Sequence, residues 1–294
     1  MNFEMIKRFS LLTMVMLLFA TSAFAENDQP KEKVVTARWS FVSGDATVTN
    51  HYLSKQEYNG PTFGLSMEFG SFYKKSDNVS WDIDITGITS PYIELAQMHT
   101  LANPAKTSFY ASHRINADYG TYYNWNPVKN LNIKAGGCFD LLMGMTTGKP
   151  NHINNLMDID VQGQFKAAAG IKYGWKFKKW GLFLQAGVAV PFMGFASGGN
   201  EYSSALNEII GSEILPGKNG AFHLTSFHNL TGCNTDLEID FEFKKTVLFF
   251  KSEYHGRWWH FNGVQNYRIY SLSKIGLMVD LVARERLNSN RRFF

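Results

Sequence analysis

Three groups of residues in this 294-residue chain have types and spacings that could do chemistry. Glu238, Asp240 and Glu242 stand at every second position, and hard cations want oxygen ligands, so the trio could form a cation site. Its other reading is charge pairing with Lys166, Lys172, Lys274 or Arg284, because a buried charge is rarely tolerated without a partner. Lys251, Glu253, His255 and Arg257 form a second alternating row, running toward an outer rim, where a histidine beside a carboxylate could act as a general base. Spacing supplies no second catalytic partner, so structural pairing is the stronger reading here too. Trp258-Trp259-His260 could stack on a sugar ring, or could be belt aromatics beside a loop residue.

The remaining candidates are weaker. His113 falls on the apolar side of an alternating run, and His51, His99, His152, His223 and His228 show no metal-ligand spacing. Cys138 and Cys233 lack a C-x-x-C spacing and lie on segments several strands apart, so both are expected to be free, buried thiols. No G-x-S-x-G elbow occurs. Gly144 to Lys149 lacks the phosphate-loop spacing, and Gly211 to Lys218 has one residue too many. No catalytic residue, cofactor or metal site is expected.

The elements that must hold these residues are read from a period of two, because successive side chains of a strand point to opposite faces. From Asp158 to Met193, Ile159, Val161, Phe165, Ile171, Tyr173 and Trp175 share one face, and Asp160, Gln164, Lys166 and Lys172 the other. The pattern resumes after the basic turn Lys178-Lys179 with Leu182, Leu184, Val188 and Val190. The same test finds runs at 35–41, 63–69, 79–85, 109–119, 131–141, 237–243, 248–257 and 275–284, which makes ten strands. Arg38, Glu68, Asp82, Asp84, Arg114, Asp118 and Asp140 fall on their polar faces. Short turns near 74–78, 125–129, 177–180 and 244–245 alternate with longer Gly-, Asn- and Ser-rich segments at 43–60, 90–106, 146–157, 195–220 and 259–266. Within the longest, Ser203 to Ile214 has Leu206, Ile209, Ile210 and Ile214 at roughly helical spacing.

Residues 1–25 have a charged start at Lys7-Arg8, an apolar run from Ser10 to Ala20 and the small-x-small motif Ala23-Phe24-Ala25, the pattern of a secretory signal peptide cut between Ala25 and Glu26. The apolar run is shorter than the roughly 20 residues a spanning helix needs. Residues 26–33 then read as a flexible mature start, 34–286 as the barrel and 287–294 as a tail.

A β-sandwich in the periplasm would show the same alternation. Long strands, both signs of charge on one face and aromatics at strand ends favour a barrel in the outer membrane instead, because lipid tolerates no open sheet edge. The expectation is an all-β fold, a transmembrane antiparallel up-and-down β-barrel of ten strands, bounded by eight and twelve. Its lumen would hold a mutually paired network of Asp160, Lys166, Lys172, Glu238, Asp240, Glu242, Lys251, Glu253, His255, Arg257, Lys274, Asp280 and Arg284. The expected partners are outer-membrane lipid and an extracellular ligand or protein met by the outer loops. Only 18% of residues are charged, the formal net charge is +4 and no basic stripe occurs, so no nucleic-acid partner is expected. A narrow passive pore and a surface hydrolase at the outer rim are the alternatives.

The run Ser43-Gly44-Asp45-Ala46-Thr47-Val48-Thr49-Asn50, with Tyr52-Leu53-Ser54 and Tyr58-Asn59-Gly60, resembles the opening of an uncharacterised family, a domain of unknown function in exported barrel proteins of gut-dwelling Gram-negative anaerobes. Asn103-Pro104-Ala105-Lys106 and the stretch around Gly136-Gly137-Cys138 are similar to later parts of it. The resemblance covers most of the chain beyond the leader. It implies an outer-membrane location and no assigned activity, so it carries over no site residues.

Overall fold

The computed structural model describes residues 33–282 apart from 51–53, 74–78, 96–108, 129, 149–156, 178–179, 198–221, 244–245 and 262–263. The signal-peptide cleavage site, the 203–214 segment and Arg284 therefore lie outside the described residues. The described elements are strands: β1 (Lys33–Asn50), β2 (Ser54–Tyr73), β3 (Val79–Leu95), β4 (Phe109–Val128), β5 (Leu131–Gly148), β6 (Met157–Lys176), β7 (Trp180–Ser197), β8 (Phe222–Ser226), β9 (Leu230–Phe243), β10 (Thr246–Phe261) and β11 (Val264–Val282).

Ladders run antiparallel between chain neighbours, and β11 returns to pair with β1, which closes the sheet. Strands β8 and β9 form one stave. Both run antiparallel to β7, β8 opposite Met193–Ser197 and β9 opposite the span from Trp180 to Ala189. The turn at 227–229 interrupts that stave, and Asn229 bridges the break by donating from Nδ2 to the Leu224 carbonyl and accepting at Oδ1 from the Ser226 N–H, each at 2.9 Å. Eleven strands thus make the ten-stave closed barrel that the alternation implies.

Tracing the register once around the wall gives the shear. Ile171 leads through Ala186, Leu237, Ser252, Ser273, Ser43, Phe63, Thr89, His113 and Met145 back to β6 at Ile159, a displacement of 171 − 159 = 12 residues. Ten staves with that shear tilt by about 40° and enclose a backbone cylinder of about 10 Å radius. The connections after β2, β4, β6 and β9 lie at one end (the turn end) with the start of β1. The connections after β1, β3, β5, β7 and β10 lie at the other (the loop end). The register row climbs toward the loop end by about 3 Å per strand in the order β9, β10, β11, β1 and onward.

Wall polarity follows the expected faces. Phe165 and Ile171 point outward, 42% and 47% exposed, while Asp160 and Lys166 on the same strand are buried in the lumen. One register row, Ile239-Phe250-Ile275-Phe41-Leu65-Gly87-Ile115-Met143-Val161, is free of polar side chains around the outside. Trp125, Tyr173, Trp175, Phe177 and Trp180 collect near the turn end, where Phe177 and Trp180 stack at 4.0 Å across the basic turn. The two thiols are free but half-buried rather than buried, because Cys138 belongs to the inward set of β5 beside the lumen cavity and Cys233 to the outward set of β9.

Three further sequence expectations need correction. Segments 43–60 and 259–266 are strand rather than long loops, leaving only 51–53 and 262–263 as connections. The reason is an inversion of polarity: on β1 the apolar side chains switch from Trp39 and Phe41 outside to Val42, Ala46 and Val48 inside. Trp259 is no belt residue either; it faces inward, packed with Ala196 and Leu230, while Trp258 stays outside. Finally, the eighth stave starts well before Leu237, because its first part is set off by the 227–229 turn.

Candidate functional site: an ion-paired lumen

Alternation on ten tilted staves aims one polar side chain in two at the barrel axis, and a cylinder of this radius brings charges from distant strands together. Near the turn end, Lys176 and Glu242 share a register row with Gly181 between them, and Glu242 is buried. Above them, Arg38 Nη2 lies 2.8 Å from Glu238 Oε1, with Glu68 at 3.5 Å and Asp240 at 3.6 Å. Lys172 closes this group at 2.9 Å from Asp240.

The middle layer holds two linked clusters. Lys274 lies 2.9 Å from Asp84 and 3.1 Å from Glu253, which also takes Lys251 at 2.7 Å and His255 Nε2 at 3.2 Å. Lys166 sits between Asp118 at 3.0 Å and Asp140 at 2.8 Å, and Arg257 reaches Asp140 from β10. With its amide oriented to satisfy both neighbours, Asn234 accepts from Lys166 Nζ at 2.8 Å and from His255 Nδ1 at 3.3 Å. Taking each charge out of water costs several kcal/mol, and only multiple close partners offset that. The shared carboxylates Asp140 and Glu253 supply them.

Toward the loop end, Arg268 donates from one nitrogen to both oxygens of Asp160 at 2.8 Å. Gly144 makes room for that pair, since a Cβ there would lie 2.4 Å from Asp160 Oδ1 and 2.9 Å from Arg268 Nη1. Arg114 stacks over the Tyr270 ring at 4.7 Å. The other side of this level is apolar: Val42, Ala46, Val48, Tyr58, Ile88, Ile93, Tyr270 and Leu272 form one buried cluster inside the lumen. Between the layers is a cavity of about 130 Å³, bordered by Asp82, Tyr122, Lys134, Asp236, Lys251 and His255. It has room for on the order of ten waters. Small inward residues on one wall (Ala168, Gly187 and Ala189) leave this space. A second cavity, about 20 Å³, shares Asp84, Asp118, Glu253 and His255 with it and is bordered by Ile88 and Leu272.

Most of the expected charge network is brought together here. Asp160, Lys166, Lys172, Glu238, Asp240, Lys251, Glu253, His255, Arg257 and Lys274 all make the pairs above. Asp280 lies opposite Thr36 in the β1–β11 ladder. The partners differ in part from expectation: Glu238 and Asp240 are served by Arg38 and by the expected Lys172, Glu242 shares its row with Lys176, and Lys166 and Lys274 pair instead with Asp118, Asp140, Asp84 and Glu253. His255 stands inside the lumen rather than at an outer rim. Arg38, Glu68, Asp84, Asp118 and Asp140 complete the network, and their parity already placed them on inward faces. Arg268 is the real omission, because 264–272 gives no clean alternation from the end of β10.

The other candidates separate. His113 faces outward with Nδ1 2.9 Å from Thr89 Oγ1. His228 bonds Ser226 in the 227–229 turn, and His260 is exposed at the loop end. Trp258 and Trp259 point to opposite sides of the wall and cannot form one stacking platform. His51, His99 and His152 lie outside the described residues. Among the described residues no three His, Cys, Asp or Glu side chains converge as metal ligands.

The chain is similar to the translocator domain of autotransporter NalP from Neisseria meningitidis at 14% identity and a TM-score of 0.43, covering 92% of this chain and 95% of that one. It is also similar to the outer membrane protease OmpT from Escherichia coli, at 8% identity and a TM-score of 0.38, covering 87% and 99%. The transport unit of the autotransporter AIDA-I from Escherichia coli matches at 11% identity and a TM-score of 0.39, covering 90% and 96%. Likenesses this remote transfer no activity. No curated protein matches the chain. Residues 10–287 match the family described as a protein of unknown function, DUF3316, and the chain belongs to that family.

Proposed function

We propose that this protein is an integral outer-membrane barrel whose lumen is closed by its own side chains, and whose loop end is the surface at which an extracellular ligand or partner is met. The observation that carries the reading is the set of charge pairs across the interior, Arg257 to Asp140 in the middle layer and Arg268 to Asp160 toward the loop end, the latter facing a buried apolar cluster. An outside wall with an unbroken apolar row supports lipid as the surrounding medium, because a ten-stave barrel with that exterior has no other way to bury it. Closed staves leave no unpaired sheet edge in hydrocarbon.

Planar-bilayer recording with purified protein tests the closed lumen. The expected result is no stable open level in neutral salt. A steady conductance on the nanosiemens scale would defeat it. The narrow-pore alternative is favoured by one feature, the cavity beside His255, and the same recording decides between them. A histidine-dependent hydrolase at the rim gains no support, since His255 is tied to Glu253 and Asn234 within the lumen network.

A further inference from the structure

Trp258 faces outward near the loop end, and its indole lies flat on the wall. A Cβ placed on Gly256, the outward residue before it, would meet Trp258 Cη2 at 2.7 Å, Trp258 Cζ3 at 2.8 Å and Tyr254 Cε1 at 2.9 Å. The two rings therefore cover Gly256, and the far face of the indole is left open, with Trp258 38% exposed. Any side chain at position 256 would lift the indole off the sheet.

A fixed carboxylate belongs to the same row. Trp258, Tyr267, Thr49 and Glu57 stand abreast on β10, β11, β1 and β2. The Tyr267 hydroxyl donates to Glu57 Oε2 across β1, and Thr49 between them is buried. Asn59, the next outward residue of β2, donates to Glu57 Oε1 at 3.5 Å. Glu57 is exposed, and about two of its roughly four acceptor positions remain open among the described residues. Asp45 is an exposed carboxylate on the outside of β1, a position that hydrocarbon does not tolerate. With a climb of about 3 Å per strand, Trp258, Tyr267 and Glu57 lie about 4–13 Å nearer the loop end than Asp45. The row is therefore beyond the lipid.

We propose that this row binds a neutral oligosaccharide met outside the cell, with one sugar ring on the Trp258 indole and hydroxyls of a later ring donating to Glu57. A sugar ring has an apolar C–H face and a rim of hydroxyls, and an open aromatic face beside a fixed acceptor matches both. Three strand spacings set Trp258 about 14 Å from Glu57, so the occupant is a chain of linked sugars rather than one ring. Charge selects within the class. The described side chains of the patch include the carboxylates of Glu57 and Asp45 and no lysine or arginine, which repels acidic sugars and lipid phosphates. An interfacial belt tryptophan would need neither the glycine beneath it nor the carboxylate held in its row. The site deepens the reading of the loop end as the meeting surface and rests on it.

Calorimetric titration of the purified protein in mild detergent tests it, with neutral hexasaccharides of glucose, mannose, galactose and xylose and with hexagalacturonate as the acidic counterpart. At least one neutral chain should bind, and hexagalacturonate should bind more weakly than it. Trp258→Ala should weaken binding about tenfold, and Gly256→Ala, which lifts the ring without removing it, should weaken it in the same direction. Glu57→Gln should weaken it severalfold. Trp125→Ala removes an exposed aromatic at the turn end and should leave binding unchanged. Only variants that keep heat-modifiable mobility are compared, and Trp258→Ala carries the test where Gly256→Ala does not fold. Absence of binding by every neutral chain, preference for the acidic one, or equal binding by W258A and W125A overturns the site and leaves Trp258 a belt residue. Lipopolysaccharide that copurifies with the wild type and is lost from W258A, with no neutral chain bound, assigns the row to a membrane glycolipid and overturns it too. Labelling of Asp45→Cys on intact cells with an impermeant maleimide keeps the two readings apart. Binding in detergent without labelling sinks the outside location alone, whereas labelling without binding sinks the sugar site alone.

Discussion

At Asp140 the lumen concentrates its electrostatics in one carboxylate. It is fully buried, and Lys166 and Arg257 both depend on it. Asp140→Asn keeps the shape but leaves two buried cations with one formal charge fewer between them. Breaking a buried pair in this way costs about 3–5 kcal/mol. The urea midpoint of the folded, fast-migrating band should fall accordingly, whereas Asp45→Asn on the outer wall should change the unfolding free energy by less than about 0.5 kcal/mol. Equal effects would mean that the lumen is hydrated enough to screen its charges. At this scale the sequence shows which charges face inward, because parity places Asp140, Lys166 and Glu238 without any knowledge of neighbours. It does not show who meets whom. Arg38 finds Glu238 across 200 positions of chain, and that choice is fixed by the shear, which no single strand encodes.

Strand β1 shows how an element can be half legible. Its first half reads plainly as Val35, Ala37, Trp39 and Phe41 alternating with polar residues. From Val42 the apolar parity moves to even positions, with Ala46 and Val48 facing the lumen cluster and Asp45 and Thr47 facing out. A period-two pattern that changes phase looks like a strand that stops, which is why 43–60 reads as loop. On the proposed outer-membrane reading the strand leaves lipid there: a stave of 18 residues tilted by about 40° rises further than a hydrocarbon layer of about 25 Å, so the wall beyond it needs an ordinary apolar inside and polar outside. Cysteine substitutions from Ser43 to Thr49, probed with a membrane-impermeant maleimide on intact cells, should therefore alternate. Asp45→Cys and Thr47→Cys should label readily, and Ala46→Cys and Val48→Cys should resist. Uniform labelling would return the stretch to a loop. The opening run of the family resemblance is this inverted segment, whereas Gly136, Gly137 and Cys138 lie within β5.

For the whole molecule, strand number and closure are legible because every stave repeats one test, and because an even count returns both termini to one end. Shear, the dense filling of the interior and the two-part stave of β8 and β9 are not legible, since each depends on residues far apart in sequence meeting around the wall. Closure has a consequence that needs no substrate. A barrel with no free edge can open only by breaking a full ladder, so it should resist unfolding in dodecyl sulfate until heated. Unboiled protein is expected to migrate faster than boiled protein. Orientation is tested together with it by adding protease to intact cells. The connection 198–221 belongs to the loop end and should be cut, while 178–179, flanked by the stacked Phe177 and Trp180 at the turn end, should survive until the outer membrane is breached. Cleavage at 178–179 on intact cells would reverse the barrel, and an unchanged mobility on boiling would remove the barrel from the membrane altogether.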